Sequence, residues 1–281
     1  MVKSLRSSAP PKKRRAFHKR RKSRRQPERN AWIKKAFEAG KMDGSRAQFR
    51  PDENIKMHIN SDWCQWIHAS GIYSLPYNTL QRIEKAYLRG YSLFSSGSFE
   101  NFALTGTEKT TAAIVSVMNE EKTIASVLGQ LNRIPLHEII VVVNGSVDAS
   151  FAIARNVSDA VIVRFPEPLG HDVGRTVGAK LSTADILLFI DGDFPILAEH
   201  LSPFIQAIDR GYDIALNNIT PYLHRFNTWD GVTVIKKFLN VSLSRPDLQA
   251  NSLTAVPHAL SRKAVETIGC QNLYIPPKAL S

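Results

Sequence analysis

Cysteine is scarce: 281 residues contain two, Cys64 and Cys270, and neither sits in a CxxC or His-spaced pattern. Neither a disulfide framework nor a zinc site is implied, and a reducing cytoplasm is the expected setting, with peripheral contact at the membrane open. Long apolar runs are missing as well. The longest, such as Ile186-Leu187-Leu188-Phe189-Ile190, have strand length, whereas a bilayer-spanning helix needs roughly 20 apolar residues. No apolar segment follows the basic N-terminus, as a signal peptide would require. Acidic residues are absent from residues 1–27, which hold 12 of the 37 Lys and Arg; the other 25 balance the 25 Asp and Glu. The net charge of +12 therefore belongs to a tail. The body is formally neutral, so the high pI is no argument for a nucleic-acid-binding fold.

What is present is enough apolar content, 43%, to bury the core of one ordinary domain with an appendage. Residues 1–29 are poor in apolar side chains, dense in like charge and contain Pro10, Pro11 and Pro27, which predicts a disordered basic tail. Such a tail either stays solvated without a partner or contacts an anionic lipid, a polymer or a nucleic acid. Residues 30–109 read as a helical appendage. Helix-compatible spacing covers Ala31–Glu38 and Asn78–Tyr91, where Leu80, Ile83, Ala86, Tyr87 and Tyr91 form a stripe. Trp63 and Trp66 between them suit core packing better than sugar stacking.

From residue 110 to 281 strands and helices alternate. Ala112–Met118, Glu138–Val143, Ala160–Arg164 and Asp185–Ile190 are short runs rich in Val, Ile and Leu, each separated by room for a helix. This order predicts an α/β domain: a Rossmann-like, mostly parallel sheet flanked by helices. Ligands of such open sheets bind beyond the carboxyl ends of the strands. The residues there are Asn119-Glu120-Glu121, Asn144-Gly145-Ser146-Val147-Asp148, the segment Gly170–Gly178, and Asp191-Gly192-Asp193. Singly, the first reads as a helix cap and the second as a turn. The last places two carboxylates directly after an apolar strand, where burial is costly without a counter-charge. A hard divalent cation, Mn2+ or Mg2+, is the simplest one, and it would meet the phosphate oxygens of a nucleotide there.

Taken together, Ile114–Glu121, Glu138–Asp148, Gly170–Ala179 and Ala184–Asp193 resemble glycosyltransferase family 2, with its GT-A fold, over about residues 110–269. The resemblance implies a metal-dependent transferase that moves a sugar from a nucleoside diphosphate sugar donor, UDP-linked by preference, to an unknown acceptor hydroxyl with inversion. It assigns Ser116 and Val117, with Glu120 or Glu121, to the nucleoside pocket. It sets Asn144 where the family usually carries an aspartate, runs Gly170, Arg175 and Gly178 beside the donor, gives Asp191 to ribose or sugar, and gives the metal to Asp193 with Asp191. Residues 252–269 resemble the acceptor side. The family's catalytic Asp, commonly part of an acidic pair, has no counterpart before Ser281, which favours a sequence cut short or an unusual C-terminus. His258, Asp230 and Asp247 are the remaining candidates for a base. Two other readings stay open: a nucleotidyltransferase, opposed by the lack of a Gly-rich loop after the first strand, and a degenerate transferase domain acting as a binding module tethered by its tail.

Overall fold

The computed structural model describes residues 13–49, 53–94, 98–157, 159–170 and 172–275, with side chains from residue 30 onward. Internal packing divides the chain into two units, Met1–Gln48 with Ile72–Glu100, and Phe49–Gly71 with Asn101–Ser281.

In the first unit, helix α1 (Lys13–Arg46) lies against helix α3 (Tyr77–Tyr91). The stripe of α3 faces inward: Leu80, Ile83, Tyr87 and Tyr91 are buried. Glycines bring the two backbones together. A Cβ at Gly40 would stand 2.0 Å from the Tyr87 carbonyl oxygen, and one at Gly90 would stand 2.1 Å from that of Phe37. The Tyr87 hydroxyl closes the crossing by donating to Asp43, 2.7 Å away. Helix α1 begins at Lys13, within the stretch 1–29 expected to lack order; residues 1–12 lie outside the described residues. Lys and Arg are good helix formers, and here the basic run continues into a helix that packs from residue 30 onward, so helix extends where composition argued for coil.

Helix α2 (Ile55–Ala69) falls in the stretch 30–109 expected to form one appendage, yet it packs within the second unit. The reason is Asn60, 3% exposed on the apolar side of the helix. Its amide accepts from the backbone N–H of Thr105 at 2.9 Å and of Gly106 at 3.1 Å, and donates to the Thr107 carbonyl at 3.0 Å. The segment entering the first strand is thereby fixed to α2. Trp63 and Trp66 stack with ring centroids 5.6 Å apart, and Trp63 is buried, in keeping with packing.

The rest of the second unit alternates: β1 (Thr111–Val117), α4 (Ile124–Leu131), β2 (Glu138–Asn144), α5 (Ser150–Val157), β3 (Val161–Phe165), α6 (Val173–Leu181), β4 (Ile186–Asp191), α7 (Ala198–Asp209), β5 (Ile214–Ala215), α8 (Gly231–Ser242), β6 (His258–Ser261) and α9 (Arg262–Ile268). The six strands form one sheet in the order β3-β2-β1-β4-β6-β5. Strands β1 to β4 are parallel, while β6 runs antiparallel to both β4 and β5. This is the mostly parallel α/β sheet that the alternation predicts. Alternate side chains fill two cores, as the pleat requires. Val115, Val117, Val141, Leu188 and Ile190 meet α4 and α7 on one face. Ile114, Leu187 and Phe189 meet α6 and α9 on the other. No helix among the described residues is long and apolar enough to cross a membrane.

Candidate active site

The chain leaves β1 toward β2 on one side and reaches β4 on the other, so the loops after β1 and β4 part at the carboxyl edge of the sheet. A cavity of about 220 Å³ opens there, lined by Ser116, Val117, Met118, Glu120, Asn144, Gly174, Asp191, Gly192 and Asp193. Six residues singled out from the sequence therefore share one wall: Ser116, Val117, Glu120, Asn144, Asp191 and Asp193. Glu121, Gly170 and Arg175 do not line it.

The floor is set by the strand ladder, which pairs Ser116 with Asp191, and by the Gly192 N–H, which donates to the Ser116 carbonyl at 2.9 Å. Across the floor α6 lies close to β1. A Cβ at Gly174 would stand 2.7 Å from Ser116 Oγ, and one at Gly178 only 2.3 Å from Ile114 Cγ2. The Gly170–Gly178 segment is thus in part a packing device: Gly178 seats the helix on the strand, and Gly174 keeps the cavity beside Ser116 clear. Ser116 Oγ is buried without a hydrogen-bond partner among the described residues, which leaves a hydroxyl donor facing a ligand-sized space.

The loop after β1 is pinned to the loop after β2 by reciprocal bonds. Asn119, at φ 60°, donates its backbone N–H to Ser146 Oγ at 3.0 Å and accepts from Val147 N at 2.9 Å. The Glu120 N–H reaches Ser150 Oγ at 2.7 Å. Glu121 donates its N–H to Asp148 at 3.0 Å and accepts from Ala149 N at 3.1 Å, so its carboxylate serves the loop. Thr123 bridges to the third loop, its hydroxyl donating to the Gly192 carbonyl at 2.7 Å. Asn144 lines the cavity while holding the next loop, accepting from Leu169 N at 2.8 Å and donating to the Gly170 carbonyl at 2.7 Å. Gly170 itself adopts φ 118°, a backbone that favours glycine.

Charge accumulates on the cavity wall. Burial pushes the Glu120 carboxyl above its usual range; the negative charges of Asp193, Asp148 and Asp191 push the same way, against the Thr123 hydroxyl. Asp193 is exposed and Asp191 is partly so. Arg175, 4% exposed, lies behind Asp191. Its guanidinium pairs with Asp172, reaches Asp191 Oδ1 at 3.5 Å, and donates to the Leu253 carbonyl at 3.5 Å. Arg175 therefore ties α6 and the segment before β6 to the end of β4. Among the described residues no three His, Cys, Asp or Glu converge to enclose a metal. The two carboxylates at the cavity, Asp191 and Asp193, suit an open site in which Mn2+ or Mg2+ would take its remaining ligands from diphosphate and water. Such ions commonly bind through one or two carboxylates plus substrate phosphate.

The three candidate bases are not brought together. His258 is 2% exposed, stacks on Phe189 with centroids 5.0 Å apart, and has its pKa lowered to about 3 by burial, then by the Arg175 charge. Asp230 caps α8, accepting from the Thr233 N–H and hydroxyl at 2.8 Å each. Asp247 is exposed and paired with Arg245 at 2.8 Å. None of the three lines the cavity.

Gly174 and Ser146 fall in segments singled out from the sequence but without a role of their own, and Thr123 and Ser150 were missed. The four-residue spacing of Gly174 and Gly178 on one helix was the available signal for the first; the hydroxyls had none.

The model of the family described as glycosyl transferase family 2 matches residues 112–268, more than half of the chain. The dolichyl-phosphate hexose transferase of Haloferax volcanii is 32% identical over 104 residues, 37% of this chain and 45% of that protein. Among solved structures, glucosyl-3-phosphoglycerate synthase from Mycobacterium tuberculosis in complex with Mn2+, UDP and phosphoglyceric acid is 22% identical. That match covers 57% of this chain and 58% of that one, at a TM-score of 0.45. The same enzyme with Mn2+, UDP-glucose and phosphoglyceric acid is 21% identical over 61% of this chain and 63% of that one, also at 0.45. The chain spans less than two thirds of the length of each of these proteins. On the family match, the chain belongs to glycosyl transferase family 2.

Proposed function

We propose that the carboxyl-edge cavity binds a nucleoside diphosphate sugar and that the protein transfers the sugar to an acceptor hydroxyl with inversion. The observation that carries this reading is the meeting of Ser116, Glu120, Asp191 and Asp193 around one cavity in a chain of this family. Ser116 offers a hydroxyl without a partner among the described residues, suited to an oxygen of the nucleoside. Val117 and Met118 supply apolar wall for a base. Asp191, held from behind by Arg175, is placed for ribose or sugar hydroxyls. Asp193 would ligate Mn2+ or Mg2+, and a bound ion there supplies the charge that offsets the departing diphosphate. A UDP-linked hexose is the first choice of donor, by the habit of the family and by the hexose transferred by the Haloferax relative. A reducing, cytoplasmic setting is part of the same proposal, supported by two cysteines that lie outside any CxxC pattern.

The second reading, a degenerate domain that binds donor without transferring it, is favoured by one observation: none of His258, Asp230 and Asp247 lines the cavity. Calorimetric titration of UDP and GDP with and without Mn2+, repeated on Asp193→Ala, tests the site. Metal-dependent binding of one nucleotide, weakened at least about tenfold in the variant, is expected. Failure of both nucleotides to bind sinks the donor site, whereas binding without hydrolysis or transfer of the sugar nucleotide selects the second reading.

A further inference from the structure

Strand β5 runs parallel to β4, since both are antiparallel to β6. The excursion 216–257 therefore leaves β5 and returns to β6 at the carboxyl edge of the sheet, the edge that holds the cavity. Its one long helix, α8, has the wrong sides in and out. Thr233 and Asn240 are buried at 8% and 2% exposure, while Val232, Ile235, Phe238 and Val241 are 62%, 58%, 67% and 52% exposed. Those four recur at intervals of three, each step turning about 60° around the helix, so together they cover about half of its circumference, with Ile235 and Phe238 at the middle of this apolar face. A soluble helix normally turns such a stripe to the core. Here the inward polar side is satisfied: Asn240 donates to the carbonyls of Gln249 and Asn251, both at 2.9 Å. The orientation is thus built in by specific bonds and leaves the apolar stripe without cover among the described residues.

The turn preceding α8 adds Tyr222 and Phe226, 78% and 60% exposed, and Trp229, whose indole N–H donates to the His224 carbonyl at 3.0 Å. Phe226 and Trp229 pack at 5.2 Å between centroids, with the Lys237 ammonium 5.2 Å from the Trp229 ring. Lys237 stands over both rings, and Arg225 and Lys236 adjoin the patch in sequence. Asp247 is neutralised by Arg245, whereas Asp230 caps the helix through neutral donors and keeps its charge, so these three cations outnumber the remaining carboxylate. An apolar face, an aromatic cluster and flanking cations in excess of acidic charge are the make-up of an interfacial helix on an anionic bilayer.

We infer that α8 and the turn Tyr222–Trp229 form a docking surface for an anionic phospholipid bilayer, with the stripe seated at the headgroup boundary and Arg225, Lys236 and Lys237 on lipid phosphates. Docking by this face sets the cavity edge of the sheet beside the membrane. The surface does not depend on the transferase reading, and it is assayed without donor or metal.

The test is flotation of the full chain with vesicles of phosphatidylcholine alone and of phosphatidylcholine mixed with phosphatidylglycerol. The basic N-terminus adheres by charge alone, so the assay is repeated at about 1 M salt, where the screening length is about 3 Å. A salt-resistant fraction bound to mixed vesicles, lowered about tenfold by Ile235→Ser with Phe238→Ser, is expected. Quenching of tryptophan fluorescence by brominated lipid, lost in Trp229→Phe, would place the turn in the bilayer. Ile235 and Phe238 are exposed and Trp229 is half-buried, and an unaltered melting curve confirms that both variants fold. Equal flotation of the double variant and the parent protein overturns the inference. So does sedimentation of the parent as a dimer that the double variant converts to monomer without change in flotation, since the stripe would then belong to a second copy.

Discussion

The parallel half of the sheet and the excursion between β5 and β6 use apolar residues in opposite ways. In β1, β2 and β4 nearly every side chain is buried, because helices cover both faces. In α8 four apolar residues, Val232, Ile235, Phe238 and Val241, are exposed, and polar ones hold the helix down. Burial in the first region stabilises the fold; exposure in the second costs stability nothing and leaves a surface for something else. A substitution of similar size should therefore act through different observables in the two places.

The largest effect is expected where α6 meets β1. Gly178→Val sets a branched side chain where even a Cβ would stand 2.3 Å from Ile114 Cγ2, and Ile114 lies fully buried within the sheet. Overpacking there should cost about 3 kcal/mol, read as a lower urea midpoint; a loss under about 1 kcal/mol would mean that α6 can slide. Next is Asn144→Ala, which removes both bonds to the loop after β3 and leaves the Leu169 N–H and Gly170 carbonyl without them. A cost of about 2 kcal/mol is expected, with faster amide exchange at Leu169 as the local sign. If nucleotide affinity falls while that exchange stays slow, Asn144 acts on the ligand directly instead.

The same contrast decides what could be read from the sequence. Strands buried on both faces appear as continuous Val, Ile and Leu runs, and β1 to β4 lie within one residue of the runs 112–118, 138–143, 160–164 and 185–190 at each end. The carboxylates Asp191 and Asp193 were legible because charge directly after an apolar strand is unusual. The function of Asn144 as a loop brace was not, since its partners are 25 and 26 residues away and no local spacing signals them. The same holds for Ser146 and Ser150, which serve a loop 27 and 30 residues earlier. Strand β5, two residues long, is too short for a pattern. Helix α8 carries a broad apolar face whose natural interpretation is core, and only the three-dimensional structure turns it outward.

A titration separates burial from exposure among the candidate bases. His258 has its pKa lowered to about 3 by burial and by Arg175, so the unfolded chain takes up a proton near pH 6.5 that the folded chain refuses. Stability is therefore fully present above about pH 6.5 and falls as pH drops, by up to about 1.4 kcal/mol per unit, for as long as pH stays above the folded value. Urea unfolding between pH 7 and pH 5 should show this slope, above the range where most carboxylates titrate. His137, lowered chiefly by burial, adds a share of the same sign. His258→Gln should flatten most of the slope. A variant with the parent's slope would place the refused proton elsewhere.

The smallest effect on stability is expected from Phe238→Ser, despite the loss of a whole aromatic ring. Phe238 is 67% exposed, so little of its area leaves water on folding, and exposed positions commonly respond within about 0.5 kcal/mol. Its neighbour Asn240 gives the contrast within one helix. Asn240→Ala strips the Gln249 and Asn251 carbonyls of a donor and should cost about 1 to 3 kcal/mol. Thermal unfolding of the two variants side by side therefore ranks the polar residue above the aromatic one, the reverse of what hydrophobicity alone orders. If Phe238→Ser proves the more damaging, the ring is covered in the folded protein, and the stripe of α8 belongs to the core after all.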